Sequence, residues 1–431
     1  MEAVGYSDDF ENFTLCQSIS ACFQVFNVAP IILVNVLDPN KAAHVTQNQA
    51  ESCDVVDGVV LYDKKYVLLN TLAVKNGSTT LVAGSDYEAA HEDNGSVAIT
   101  LLSTAAKEAS SLTVSSTSLK PSGVTAADIV GGVDASTGKE TGLELIRQIY
   151  PTLGMVPGLI LAPGWSHTPT VAAALQAKTE GINGNFDCVT YLDISTDPEE
   201  DGAEVYTDVK TAKEALGATS PHAAALWPMG AVGDKVYYLS AMFAALTAYT
   251  DANNADVPYE SPSNKDLRIT ATVLKDGTTV ALDQQQANDV LNANGVITAI
   301  NANGFKSWGN NTAAYPSTTD PKDRWWAVRR FFDWDGNNFI QTYFQKVDKP
   351  GNKRLIQSIV DSQNIIGNGY VARDYCAGYR VEFRSDENPV ANLLAGHLTV
   401  HTYLAPYIPA EYIENIREYD VDALESAIGG E

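Results

Sequence analysis

Residues 320–349 read DPKDRWWAVRRFFDWDGNNFIQTYFQKVDK, the densest mixture of aromatic, aliphatic and basic side chains in the chain. Asp335, Gly336 and Asn337 tolerate the positive φ of a tight turn. They separate two runs rich in Trp, Phe, Val, Tyr and Ile, residues that suit a pleated, half-buried surface. The stretch therefore reads as a β-hairpin bent at Gly336, and Arg329 and Arg330, adjacent on a strand, would point to opposite faces. From Lys322 to Arg354 eight basic residues stand against four acidic ones, a local charge of +4 in a chain of net −25. Such a segment either faces an acidic partner or is a sheet face solvated by Arg and Lys, and the hairpin alone leaves both readings open.

At 431 residues the chain exceeds one ordinary core and implies two to four domains. Hydrophobic residues at 45% and charged residues at 19% are those of a folded globular protein, and no apolar run reaches the roughly 18 residues of a membrane helix. The opening MEAVGYSDDF has neither a basic n-region nor an apolar h-region. The five cysteines, Cys16, Cys22, Cys53, Cys188 and Cys376, form no CxxC and fit reduced buried thiols. The expected place of synthesis is a reducing cytoplasm, with no membrane contact. Residues 1–300 carry 15 basic and 36 acidic side chains, and 301–431 carry 13 and 17. A front half so acidic repels polyanions, which argues against nucleic-acid binding.

Four segments follow from the pattern. Residues 1–50 begin with a helix capped by Ser7, its apolar positions Leu15, Ile19, Cys22 or Phe23, and Phe26 at helical spacing; IILVNV (31–36) then reads as a strand buried on both faces. Residues 51–120 switch to short Val, Leu, Thr and Ser runs broken at Asn76-Gly77 and Asn94-Gly95, an inserted small β-sandwich or barrel. Residues 121–300 alternate strand and helix: GLILAPG, a helix opened by Thr168-Pro169, FDCVTYLDIS, a helix at 209–216, AAALWP and a long helix at 236–249. That series implies a parallel sheet with right-handed crossovers. Residues 301–431 add the hairpin, a helix at 353–366, and strands or edge segments in YRVEFRSDENP, HLTVHTYLAP and EYIENIREYD.

Tempting chemistry does not survive counting. GGVDASTGKE puts Val133 where the first glycine of a phosphate-binding loop belongs, and Glu140 where the magnesium-binding hydroxyl belongs. GWSHTP has Ser166 beside His167 but Thr168 in place of the second glycine of a nucleophile elbow. Asp333, Asp335, Asn337 and Asn338 lack the later glycine and glutamate of a calcium loop. Of the six histidines only His397 and His401 form a close pair. No catalytic residue, cofactor or metal site is assigned; the rival classes are a hydrolase-like enzyme of the α/β segment and a carbohydrate- or protein-binding module.

Read in order, GYSDDFENFTLC, APIILVNVLDP, VTAADIVGGVDASTGKETGLELI, VPGLILAPGWS, FKSWGNNTA, the 320–348 stretch, LIQSIVDSQNI and YRVEFRSDENP resemble the sheath proteins of contractile phage tails, prophages and phage-tail-like bacteriocins. The resemblance implies a structural, non-enzymatic subunit that stacks as hexameric rings around an inner tube, assembles in an extended metastable state, and contracts to drive the tube through a bacterial envelope. It implies an α+β core built from both chain ends that carries the α/β and β segments outward and shares strands with neighbouring subunits. Implied partners are other sheath subunits, the tail tube protein, and baseplate and tail terminator proteins. Implied locations are the host cytoplasm during assembly and the virion tail or tail-like particle when mature. Relative to the family pattern the chain begins some tens of residues inside, so an N-terminal arm is expected to be missing and the chain to stay mostly monomeric, and Asn311 stands where relatives often carry Arg. The candidate contacts to neighbouring subunits or tube are Lys322, Arg324, Arg329, Arg330, Lys346, Lys353, Arg354 and Arg384.

Overall fold

The computed structural model describes residues 6–92 and 94–429; the opening MEAVG of the 1–50 segment lies outside them. The first helix, α1 (Leu15–Ser20), runs into a π-helical turn, Ala21–Phe26, which Asn27 ends in the left-handed conformation. Thr14 rather than Ser7 stands at the N-cap. Residues 31–36 are not a strand: they follow an irregular, partly exposed path with no ladder partner. An apolar run becomes a buried strand only where a sheet edge receives it, and here its contribution is Leu33 packing on a neighbouring core.

The inserted unit begins at β1 (Val45–Asp54), six residues before the expected boundary. It continues through β2 (Val59–Tyr62), β3 (Ala73–Asn76), β4 (Thr79–Thr80), β5 (Tyr87–His91), β6 (Val97–Leu101) and β7 (Ser111–Leu119). Two antiparallel sheets, ordered β1-β7-β3-β4 and β2-β6-β5, close on a shared core of Val60, Tyr62, Val74, Val97, Ile99, Leu101, Leu112 and Val114. Strand β7 alternates buried and half-buried positions along its whole length, the period that a half-covered pleat requires.

The α/β body is a five-stranded sheet. Its elements in chain order are β8 (Leu159–Ile160), α2 (Pro169–Ala177), β9 (Val189–Asp193), α3 (Val209–Leu216) and β10 (Ala223–Leu226). A small antiparallel sheet of β11 (Met229–Val232), β12 (Lys235–Tyr238) and β13 (Ala271–Val273) brackets helix α4 (Leu239–Asn253), before β14 (Val296–Asn301) and β15 (Phe305–Trp308) return to the main sheet. The order is β8-β9-β10-β14-β15, parallel except for the last pair. Both faces are covered. Leu192, Ala223, Ala225 and Val296 point to the side of α2 and α3, whereas Val189, Tyr191, Leu226 and Ile297 point to α1 and α4. Successive strand residues face opposite ways, so a run such as VTYLD must be apolar or satisfied throughout.

The 320–349 stretch is not a hairpin. Asp320 caps a short turn, Pro321–Arg324, and Trp326–Tyr343 form one continuous helix, α5. A second helix, α6 (Lys353–Ala372), runs to the strand pair β16 (Cys376–Glu382) and β17 (His401–Pro406), and a short terminal helix, α7 (Val421–Ile428), follows. Phe331, Cys376, Tyr379 and Val381 form the core of this lobe, with Trp334, Val360 and Tyr370 against it. Gly367 is required where α6 meets β16, because a Cβ there would lie 1.9 Å from the Tyr379 ring. The two chain ends do not share this core: Phe10, Cys16, Ile19 and Phe26 pack with α4, in a cluster that among the described residues takes Phe305 and Trp326 from the C-terminal segment.

The turn signal at Asp335-Gly336-Asn337 lost to tertiary packing. Asp335 is buried, Asn337 is hydrogen-bonded across to the α/β body, and Gly336 sits exposed with nothing within 4 Å of its absent Cβ. A mid-helix glycine costs about 1 kcal/mol relative to alanine. Gly336→Ala is therefore expected to stabilise the protein by about 0.5–1 kcal/mol, read as a higher urea midpoint at unchanged slope; a loss of stability would indicate a turn at this position.

Candidate functional site: an anchored helix with a basic apex

Helix α5 carries its chemistry on two faces. Trp326, Arg330, Asp333 and Asn337, at i, i+4, i+7 and i+11, share one face. The Trp326 indole donates to the Tyr191 hydroxyl at 2.8 Å, and that hydroxyl lies 2.8 Å from Thr247 Oγ1 on α4. Arg330 is buried and bidentate to Asp251 at the end of α4, with one Nη1–Oδ1 contact of 3.3 Å and a second, closer one through Nη2. Asp333 lies 3.1 Å from His222 Nδ1 and 2.9 Å from an Arg329 Nη, both at ion-pair distance but out of line for hydrogen bonds. Asn337 donates to the Asp187 carbonyl at 2.6 Å and accepts from the Asp187 N–H at 3.0 Å. Apart from Arg329, which lies on α5 itself, these partners belong to the α/β body.

The opposite face holds the C-terminal lobe. Asp335 accepts from the Tyr379 hydroxyl at 3.0 and 3.1 Å, and Tyr379 accepts from Gln363 at 2.6 Å. Burial pushes the Asp335 carboxyl up to about 6, the Tyr379 bond offsetting part of the effect. The folded state thus holds this proton more tightly than an unfolded chain, so the site destabilises progressively as pH rises from about 4 to 6. Asp335→Asn keeps an acceptor for Tyr379 and removes the buried charge. Thermal melts of this variant should show a gain at pH 7 of up to about 3 kcal/mol and no gain at pH 4; an equal effect at both pH values would show that the carboxylate's ionisation is irrelevant.

The eight basic candidates separate sharply. Arg330 is core. Arg329 is mostly covered and spans Asp323 at 3.2 Å and Asp333; on a helix the two arginines are about 100° apart rather than on opposite faces, and neither is free. Arg324 stacks on Tyr315 and Trp325, with its guanidinium carbon 4.4 and 4.0 Å from the ring centroids, and donates to Asn311 at 3.0 Å. Asn311 is buried and also donates to the Asn292 carbonyl, so its role inside this chain is a brace. Arg384 is held by Asp386 at 2.9 Å and Glu387 at 3.2 Å. Lys322, Lys346, Lys353 and Arg354 are exposed and make no ion pair among the described residues. The last three, with Lys349, crowd the turn between α5 and α6, where Phe344 and Val347 are each 64% exposed.

The motifs set aside in the sequence have structural occupations. Asp134 Oδ1 accepts from the Ser136 and Thr137 amides, the positions a phosphate would need. Ser166 is fully buried and donates to Asp193, whose other oxygen accepts from the Ser240 N–H at the start of α4. His167 stacks on Tyr238 and faces Glu200. His401 faces Glu387. Sequence reasoning missed two features. Asp251 and His222, which receive α5, and Glu180, which pairs with His222, give no local signal. The tail does: Tyr412, Ile413, Ile416 and Tyr419, read as an edge segment, are 74–85% exposed and belong to no strand or helix.

No family model matches the chain. Among curated proteins it is 26% identical over 415 residues to the tail sheath protein of Burkholderia phage BcepMu, covering 94% of this chain and 85% of that one. It is 26% identical over 301 residues to the tail sheath protein of Escherichia phage P2, covering 67% and 69%. A putative prophage major tail sheath protein of Pseudomonas aeruginosa (strain UCBPP-PA14) is 27% identical over 289 residues, covering 66% and 70%. Among solved structures the fold matches a chain of an extracellular contractile injection system, the PVC sheath complex in the contracted state, with TM-score 0.52, 20% identity, and 66% of this chain and 76% of that one covered. A chain of the anti-feeding prophage baseplate matches with TM-score 0.51, 18% identity, and 67% and 75% covered. About two thirds of the chain thus shares its fold with chains of contractile injection assemblies. The resemblance to tail sheath proteins, read first from the order of short motifs, is borne out along nearly the whole chain.

Proposed function

We propose that this protein is the structural subunit of a contractile tail sheath: it polymerises around an inner tube and contracts to drive that tube through a bacterial envelope. The observation that carries the reading is similarity to a tail sheath protein over 94% of the chain, on a fold shared with contractile assemblies. Catalysis has no place in it, since Ser166, His167 and Asp193 are committed to packing the α/β body. Two surfaces supply the contacts a polymer needs. The apolar tail and the open-edged β16–β17 pair accept or donate backbone hydrogen bonds to a neighbouring subunit. The basic apex meets an acidic surface of tube or neighbour, with Lys322 a further free cation on the run into α5. Within this reading the C-terminal segment 301–431 is the assembling part, and the 51–120 and 121–300 segments project from it. The partners are other sheath subunits, tube, baseplate and terminator proteins. Subunits gather in the host cytoplasm and end in the tail.

The test contrasts free and buried cations. Reversing Lys346, Lys353 and Arg354 together to Glu should leave the melting temperature of the subunit unchanged. It should reduce the sleeves seen by electron microscopy, most at low salt, because each exposed pair contributes only about 0–1 kcal/mol and is screened. Arg330→Glu should instead cost about 3–5 kcal/mol of folding stability, because it buries a carboxylate against the half-buried Asp251. Both sleeve measurements use the full-length protein: normal sleeves from the triple variant at all salt concentrations would remove the apex from the assembly surface, and absence of sleeves or rings from the otherwise unaltered full-length protein with its tube would remove the sheath reading itself.

A further inference from the structure

His222 sits at the seam between α5 and the α/β body, on the loop that leads into β10. Its backbone is fixed: its N–H donates to Ser220 Oγ at 3.0 Å, and the Thr219 and Ser220 amides both donate to Gln176 Oε1 on α2. The imidazole is nearly enclosed and faces acceptors only. Nε2 lies 3.0 Å from Glu180 Oε1, and Nδ1 lies 3.2 Å from the Cys188 carbonyl and 3.1 Å from Asp333 Oδ2. A neutral ring has one N–H and one lone pair, so one of its two nitrogens would turn a lone pair toward an oxygen; only the doubly protonated ring suits both sides.

We propose that His222 is a protonation-controlled latch: its imidazolium, held between Glu180 on the body and Asp333 on α5, seats that helix, and loss of the proton loosens the α5 lobe from the α/β body. This device is independent of the sheath reading.

The charges around the ring fix the sense of the response. Burial disfavours the imidazolium, and the Asp333 carboxylate outweighs it, with Glu180 adding to the attraction and Arg329 opposing, so the folded His222 titrates above its usual range. A base raised in the folded state stabilises fully below about pH 6.5, and its contribution is lost as pH climbs through the folded value. On the α5 side Arg329 still balances Asp333 after His222 is neutral, and Asp323 shares that arginine. On the body side Asp187 approaches only through its backbone, to Asn337, and the buried Cys188 thiol is pushed far up, so it stays neutral. Lys213 on α3, whose Nζ donates to the Asn294 and Tyr315 carbonyls, is lowered to about 8 by burial and answers in the opposite sense, since the cost of burying its charge is relieved as pH rises above that value. A global melting curve would mix the two, so the latch must be read locally.

Hydrogen exchange of the α5 amides, corrected for intrinsic rates and compared with those of α4, reads it directly. Protection of residues 326–343 should fall several-fold between pH 6 and pH 8 while α4 holds. His222→Gln should be poorly protected at both pH values. Glu180→Gln, at a largely exposed side chain that the fold does not need, should keep the response but move its midpoint to lower pH. Equal α5 protection at the two pH values, a response that survives in H222Q, or a midpoint unmoved in E180Q overturns the latch.

Discussion

The bidentate pairing of Arg330 with Asp251 is the constraint on which the C-terminal half depends. A guanidinium buried to this degree is tolerated only against a carboxylate in the right place, and Asp251 is fixed by helix α4, which is packed against the sheet along nearly its whole length. Helix α5 therefore has one acceptable rotation and one acceptable height. Sliding it by a turn would part Arg330 from Asp251 and Asp333 from His222, and withdraw Trp326 from Tyr191. A buried ion pair adds little net stability relative to apolar packing, but it penalises alternatives heavily, and here it turns an amphipathic helix into a positioned one. Everything after residue 343 inherits that placement, since α6 and β16 are built on the far face of the same helix.

The contrast between what the sequence revealed and what it concealed follows from the range of the interactions. Helix α3 was read over its observed residues because Val209, Ala212 and Leu216 repeat at helical spacing and Gly217 ends it locally. Thr168-Pro169 opened α2 and the VTYLD run placed β9 for equally local reasons. The 320–349 stretch failed because its decisive partners, Tyr191, Asp251, His222 and Asp187, lie about 80 to 150 residues away in sequence. Locally, Asp-Gly-Asn is a turn; only the distant carboxylate and carbonyl turn Arg330 and Asn337 into anchors. The first strand of the insertion was missed for a related cause, since VTQNQAESCD is polar and pairs by backbone with β7 over a run that includes a bulge. The run at 31–36 erred the other way: it has the composition of a buried strand and no edge to join.

Charge was legible as a local excess but not as a division of labour. Arg324, Arg329, Arg330 and Arg384 are consumed within the chain by stacking or carboxylates, and the free cations collect at the α5–α6 turn. Arginine is the residue found inside, where its planar fork matches a carboxylate or lies flat on an aromatic ring, and lysine dominates the exposed apex, where a hydrated ammonium on a flexible stem keeps its charge in water.

That division has a mechanical consequence. An electrostatic contact made by a floppy loop loses most of its value in ordering the groups that make it, whereas one made at the end of a braced helix is largely preorganised. Helix α5 is clamped on one face to the α/β body and on the other, through Asp335 and Tyr379, to α6 and β16. Force applied at the basic apex is thus carried along a helix anchored at its Trp326, Arg330, Asp333 and Asn337 positions rather than absorbed in a hinge. The exposed apolar tail, by contrast, is held back to the body chiefly by Glu411 near Asn310 and Arg324. In the sheath role proposed above, a subunit that joins a braced, charged apex to an exposed, apolar tail would be able to keep its tail contacts while the bodies rotate, the combination that a polymer shortening without dissociation requires.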